Sequence, residues 1–365
     1  MQDNSQQLPP EISNNFNELY NTYTLIGVVE NLYEANTFFV DNFFSSTVFS
    51  NDAYVAIDID VGLRRMSPFV SPLHEGKLVE SRKIRTRSFA PPYIKDKRAP
   101  DLLRPVRRAL GERIGGNQLT AIQRMDANIG IELADQKDNL KRRLEWMATQ
   151  SIVNGYLRIK GDGYEESIID FLRDPSLNIV LSGKSMWDDE NTIANPSDDI
   201  RNWATNILKL SGSQITDLIF TNSAYSALIK NKDIYQAIFN SSLRANNDAN
   251  LLMGPNTGSV PFQGYWGGYR IWLYNEWYID EDIQQKPMIE DGNIIGISKA
   301  ISGTLAYAAI KDGALGYIPA AFAPSMWIQP DPSQIFMMLQ SSPLTILGRP
   351  NACFTARVAK GKTNG

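Results

Sequence analysis

A single histidine, His74, and a single cysteine, Cys353, stand in a chain of 365 residues. That scarcity excludes an internal disulfide framework and fits a reducing compartment. It strips the usual ligands from any His-rich or Cys-rich zinc site. One conceivable Cys–His pair remains, and neither member sits in a local nucleophile signature. A His-Glu-x-x-His helix is impossible with one histidine, no Gly-x-Ser-x-Gly elbow occurs, and no Gly-x-Gly-x-x-Gly opens a helix. No apolar run approaches the roughly 20 residues that a membrane span needs. The opening Met1-Gln2-Asp3-Asn4-Ser5-Gln6-Gln7 has neither the basic nor the apolar region of a secretory leader. The expectation is a cytoplasmic protein with no cofactor, no metal and no membrane contact. Internal repeats and low-complexity tracts are also missing.

What is present is an ordinary globular composition, 43% hydrophobic and 21% charged. A chain of this length suggests one large domain or two to three smaller ones. Net charge is −4, so the whole-chain balance gives no electrostatic case for nucleic acid. The charge is unevenly spread, however. Residues 74–113 hold 12 Lys or Arg against 5 Asp or Glu, which is +7 and leaves −11 for the remainder.

Within that stretch Gly76–Arg87 is poor in apolar residues and reads as an extended, exposed strand. Ala90-Pro91-Pro92 redirects the chain and Tyr93–Lys97 reads as a returning strand. A two-stranded ribbon with so little apolar surface is marginal alone. It calls for an acidic support, either a nucleic-acid backbone or the surface of another copy of the chain. No aromatic residue lies between Lys77 and Arg87, so base stacking has no platform there.

Residues 1–20, rich in Asn, Gln and Ser, read as a mobile arm. The cluster Phe38, Phe39, Phe43, Phe44 and Phe49 needs a partner surface, its own core before a neighbouring subunit. In Asp52–Val61, Tyr54, Ala56 and Ile57 alternate loosely with polar groups, as in a strand. Its Asp58-Ile59-Asp60 offers oxygen ligands for a divalent cation, but so short a motif reads better as a solvated strand edge. After Gly115-Gly116 a long helix is predicted, N-capped by Asn117 and running to about residue 150. Leu119, Ile122, Met125, Ile129, Leu133, Leu140, Leu144 and Met147 form its apolar stripe, while Gln123, Asp126, Asp135, Asp138 and Arg142 face away. At 1.5 Å per residue it would be roughly 50 Å long, with Gly130 a weak point costing about 1 kcal/mol relative to Ala.

Residues 155–182 read as short strands and turns, and Asn195-Pro196-Ser197 with Asp198 and Asp199 as a helix start. A buried strand is expected at Ile215–Phe220 and an amphipathic helix near Ser223–Lys230. Further strands are expected at Tyr269–Tyr274, Ile294–Ser298, from Gln334 through Leu347, and at Ala352–Val358. Gly183-Lys184-Ser185 imitates the end of a P-loop, yet Asn178 stands where the first Gly is required and no helix pattern follows, so a turn is expected. Asp188-Asp189-Glu190 cannot converge on one ion and reads as surface charge.

Three motifs in order carry a family resemblance. Val70-Ser71-Pro72, Gly76–Arg82 and Phe89-Ala90-Pro91-Pro92-Tyr93-Ile94-Lys95 resemble the extended loop of the lambda-type major capsid proteins, the capsid E family. Pro196-Ser197-Asp198-Asp199-Ile200 is similar to that family's helix start, and Gln340–Leu347 to its C-terminal Gln-Ser-Ala-Pro-Leu strand. The likeness spans about residues 36–358. It implies an α+β, HK97-type capsid fold: an N-terminal arm (1–60), an extended loop (61–113) and a peripheral domain with a spine helix (114–210). An axial domain (211–330) follows, then return strands of the peripheral domain and a tail (331–365).

The function implied is the major head protein of a tailed double-stranded DNA bacteriophage, a structural protein and not an enzyme. It would assemble as hexamers and pentamers into an icosahedral shell. The implied partners are further copies of itself, scaffold, portal and decoration proteins, and packaged DNA contacted non-specifically. The implied location is the virion, after assembly in the host bacterial cytoplasm. The inter-subunit contact is expected at Lys77, Arg82, Lys83, Arg85, Arg87, Phe89, Tyr93 and Lys95. The alternatives are an encapsulin-like nanocompartment shell, or a nucleic-acid-binding protein using the basic 74–113 ribbon.

Overall fold

The computed structural model describes residues 37–60, 66–79, 84–100, 121–161, 163–245, 260–280, 282–313, 315–331 and 334–361. In chain order they form α1 (Phe38–Phe43), β1 (Ser46–Phe49), β2 (Val55–Asp60), β3 (Ile84–Phe89), β4 (Ile94–Arg98), α2 (Ala121–Asn154), β5 (Tyr156–Gly161), β6 (Tyr164–Asp170) and β7 (Asn178–Val180). Then follow α3 (Pro196–Ser211), β8 (Asp217–Phe220), α4 (Asn222–Ile229), α5 (Lys232–Ala245), β9 (Phe262–Trp266), β10 (Tyr269–Leu273), β11 (Trp277–Ile279) and β12 (Gln285–Pro287). The chain ends with β13 (Asn293–Ile297), β14 (Gly303–Tyr307), β15 (Ala323–Gln329), β16 (Gln334–Ser341), β17 (Pro343–Leu347) and β18 (Cys353–Arg357). The class is α+β, as expected.

The largest sheet has the order β7-β18-β13-β8-β10-β9 and separates two cores. Period-two alternation does the sorting. Ile219, Ile295, Ile297 and Cys353 point into one core, with α1 and the last turns of α2. Leu218, Phe220, Ile294 and Phe354 point into the other, under α3, α4 and α5. Gly296 sits directly across from Phe354, whose ring occupies the space any side chain at that position would need. Two three-stranded sheets, β1-β14-β17 and β15-β16-β4, and three two-stranded ribbons complete the set.

Local signals were followed closely where they were strong. Asn195 caps α3 by accepting from Ser197 N–H at 3.2 Å, Pro196 occupies the first turn, and Gly212 closes the helix in the left-handed region. The long helix runs to Asn154, and Asn117 lies outside the described residues. Its stripe docks in sequence: Ile129 and Leu133 on Met337, Leu140 and Leu144 on Leu339, then Met147, Ala148 and Ile152 in the first core. The helix passes through Gly130 unbroken, and a methyl group there would meet nothing within 4 Å. Gly130→Ala should therefore stabilise the subunit by about 1 kcal/mol. A higher urea midpoint at an unchanged slope would register it.

Three expectations need correction. The basic stretch is not a two-stranded ribbon. β3 pairs antiparallel with β2, from Val55–Phe89 to Asp60–Ile84, while β4 pairs with β16, from Ile94–Ser341 to Arg98–Met337. Pro91 and Pro92 cannot donate ladder hydrogen bonds, and each limb instead finds a strand with apolar residues to offer. In β2 the inward residues are Val55 and Ile59, while Tyr54 and Ala56 are exposed, because the β-branched side chains take the buried phase. Phe49 lies outside the phenylalanine cluster, exposed and stacked on Tyr307 at 5.5 Å, whereas Phe38, Phe39, Phe43 and Phe44 are core.

Candidate assembly surface

Residues 66–79 connect β2 towards β3 without helix or strand, and every one of them is exposed. Pro68 and Pro72 suppress regular pairing. One turn is held by His74 N–H donating to Ser71 C=O at 3.0 Å. The segment is not polar. Met66 is 88% exposed, Phe69 102%, Leu73 93% and Leu78 98%. Apolar groups presented this fully, on a segment with no core of its own, make it the candidate contact surface. Reading for charge missed them, although the spacing Met-x-x-Phe-x-x-x-Leu, with Pro68 and Pro72 inside it, was visible.

The base of this loop is fastened within the subunit. Phe89, half-buried, packs against the first core. Arg87 Nη1 donates to the Asp170 carbonyl at 3.4 Å, tying β3 to β6. The Tyr93 hydroxyl donates to Gln340 Oε1 at 2.9 Å and accepts from Lys311 N–H at 3.0 Å. Lys95 is exposed, its Nζ 5.3 Å above the Tyr93 ring. Lys97 lies over Phe336 at 4.2 Å, and Arg98 pairs with Asp96, Glu132 and Asp135. Burial would lower the Arg98 pKa, but its carboxylate partners win and hold it above the ordinary arginine range. Part of the local positive charge is thus neutralised inside the molecule.

Of the eight expected contact residues, Lys77 is exposed on the loop, and Arg87, Phe89, Tyr93 and Lys95 occupy β3, β4 and their connection. Arg85 lies on β3, and Arg82 and Lys83 fall outside the described residues.

A second feature was missed from sequence. Glu145 of α2 is only 4% exposed, and its carboxylate accepts from the backbone N–H of Phe39 at 2.9 Å and of Val40 at 3.1 Å. The Tyr274 hydroxyl donates to the same group at 3.2 Å. Burial pushes the Glu145 pKa up to about 7, opposed by these three hydrogen bonds, with the Asp41 charge adding to the rise. A helix glutamate in an apolar neighbourhood was the available signal.

The other candidates resolve plainly. His74 is exposed while Cys353 is fully buried, so they form no pair, and burial raises the thiol pKa against the nearby Arg173. Gly183–Ser185 is a turn of 3-10 helix. Asp188 accepts from Lys360 N–H at 2.8 Å and Asp189 pairs with Lys360 Nζ at 3.7 Å, so this charge fastens the returning chain. Among the described residues no cluster of three or more His, Cys, Asp or Glu could hold a metal, and no helix is long and apolar enough to cross a membrane.

Comparison with known proteins places this geometry. The family described as phage major capsid protein E matches residues 21–358. The major capsid protein of Escherichia phage N15 is 25% identical over 347 residues, covering 93% of this chain and 99% of that protein. That of Escherichia phage lambda is 23% identical with the same coverage. Among solved structures, a prophage capsid protein of Escherichia coli CFT073 superposes with a TM-score of 0.70 at 19% identity, covering 93% of this chain and 99% of the other. The capsid of Ralstonia phage GP4 gives 0.51 at 10% identity, over 92% and 94%.

Proposed function

The chain belongs to the phage major capsid protein E family and is a structural capsid subunit of HK97-type fold, not an enzyme; from that premise we propose how it builds a shell. Copies associate as hexamers and pentamers and close an icosahedral head around double-stranded DNA. The contact is head-to-tail, with the 66–79 loop of one copy lying on the next around the ring. Lys77, Arg82, Lys83, Arg85 and Arg87 meet acidic groups of that neighbour, while Phe89, Tyr93 and Lys95 lie at the loop's root. Scaffold, portal and decoration proteins are the further partners, and assembly takes place in the host cytoplasm before the protein enters the virion.

The division into arm (1–60), loop (61–113), peripheral (114–210) and axial (211–330) units with return strands (331–365) is part of this proposal. The sheet of the axial unit also takes in β7 and β18, so that unit draws on three stretches of chain.

The observation carrying the proposal is the near-complete exposure of Met66, Phe69, Leu73 and Leu78. Each such side chain gains about 1.5–3 kcal/mol when buried. Negative-stain microscopy of the purified protein, alone and co-expressed with its genomic neighbours, should reveal closed shells or hexamer-sized rings. A monodisperse monomer under every condition would overturn the proposal.

A further inference from the structure

A face of α2 beside its core stripe carries exposed Asn139, Arg142 and Arg143 and half-buried Trp146, Gln150 and Asn154 at helical three- and four-residue spacing. On one side stands β5, whose alternation buries Leu157 and turns Tyr156, Arg158 and Lys160 outward. On the other stands the β11–β12 hairpin, with Trp277 and Tyr278. Three adjoining hollows of about 650, 610 and 580 Å³ share Arg143 and Trp146 in their walls. Among the described residues the first is lined by five cationic side chains, Lys95, Arg143, Arg158, Lys160 and Lys311, and by no carboxylate. All five are exposed. Arg158 makes an exposed pair with Glu166 at 3.2 Å, and Asp280 and Asp282 border only the third hollow.

Five cations from β4, α2, β5 and the connection between β14 and β15 converge here on a chain whose net charge is −4. The Arg143 guanidinium lies 5.5 Å over the Trp146 ring, and Tyr278 meets that ring edge-on at 6.5 Å. Spaced cations that face solvent, beside a concave aromatic wall, suit a phosphodiester backbone: the cations take phosphates and the aromatic edge takes sugar or base. We propose that the cleft between α2, β5 and β4 binds the phosphodiester backbone of DNA. Its occupant in the particle, the enclosed genome, rests on the function proposed above. The cleft's affinity for DNA does not. It is distinct from the 74–113 stretch as a whole, since Lys95 alone of its five cations comes from there.

The test is fluorescence anisotropy of a short labelled DNA duplex titrated with the full-length subunit at several salt concentrations. The affinity should fall steeply with salt, with a log–log slope of about −4 if four to five phosphates are neutralised. Arg158→Gln/Lys160→Gln should weaken binding at least about tenfold and remove about two units of that slope. Lys95→Gln/Lys311→Gln should do the same from the opposite wall. Lys230→Gln/Lys299→Gln, with the same change in net charge at exposed positions outside the cleft, should leave affinity unaltered. Unfolding midpoints confirm that each variant is folded. Equal weakening by the control pair would reduce the binding to diffuse charge and overturn the proposal. So would failure to bind duplex while a polyglutamate peptide binds, which would assign the cleft to an acidic protein segment. Shells that form normally from a subunit with no DNA affinity would refute this inference alone and leave the capsid assignment standing.

Discussion

Phe69→Asp/Leu78→Asp should abolish shell formation while the subunit stays folded. Neither side chain contributes to the core of its own subunit, being 102% and 98% exposed, so the substitution should change subunit stability by no more than about 0.5 kcal/mol. On a neighbour the same residues lose their burial gain, and each new carboxylate adds a desolvation cost with no partner selected to meet it. The loss recurs at every contact around a ring, so a few kcal/mol per contact is enough to eliminate closed products. Sedimentation should show only free subunits, with wild-type circular dichroism and urea midpoint. Normal shells from the double variant would remove the loop from the assembly contact. Arg82→Glu/Arg85→Glu should act in the same direction but depend on ionic strength, because exposed ion pairs are screened by salt.

Glu145→Ala should destabilise the subunit itself, by about 3–5 kcal/mol. The change leaves the N–H groups of Phe39 and Val40 and the hydroxyl of Tyr274 without their shared acceptor in a buried setting. It also unfastens α1, whose Phe38, Phe39 and Phe43 fill the first core. The group makes stability depend on pH with a definite sign. Its folded pKa, about 7, lies above the ordinary 4.5, so the native state binds the proton more tightly than the unfolded chain does. The contribution is fully present below about pH 4.5 and is lost as pH rises through about 7, a swing of about 3 kcal/mol. Glu145→Gln should flatten that part of the stability–pH profile. A profile with the wild-type slope in the glutamine variant would show that another group titrates there.

How much of this was legible differs from element to element. The stripe of α2 could be read because its residues recur at helical spacing, and tertiary packing kept them on one face from Ile129 to Met147. The start of α3 could be read because a cap is a local device, complete within Asn195–Asp199. The pairing of β3 and β4 could not. Hydrogen-bond partners of a strand are chosen by what lies beside it, and here β16 is more than 200 residues away in sequence from β4. The eight expected contact residues were chosen by charge and family resemblance, while the exposed apolar loop side chains went unnoticed, since apolar spacing alone does not say whether a side chain is buried. For Glu145 only its apolar neighbours were legible, because its three donors come from α1 and from Tyr274, just after β10.

The sequence by itself determined the class of the protein, the absence of any motif for catalysis, and a basic segment on an acidic chain. Those depend on composition, periodicity and short motifs, which act over a few residues. The tertiary structure alone decided which strands share a sheet and which of the basic side chains are neutralised within the subunit. It alone placed cations from three elements and a connecting segment around one cleft beside Trp146. These outcomes depend on distances between residues far apart in the chain, and such distances exist only once the hydrophobic faces have found one another.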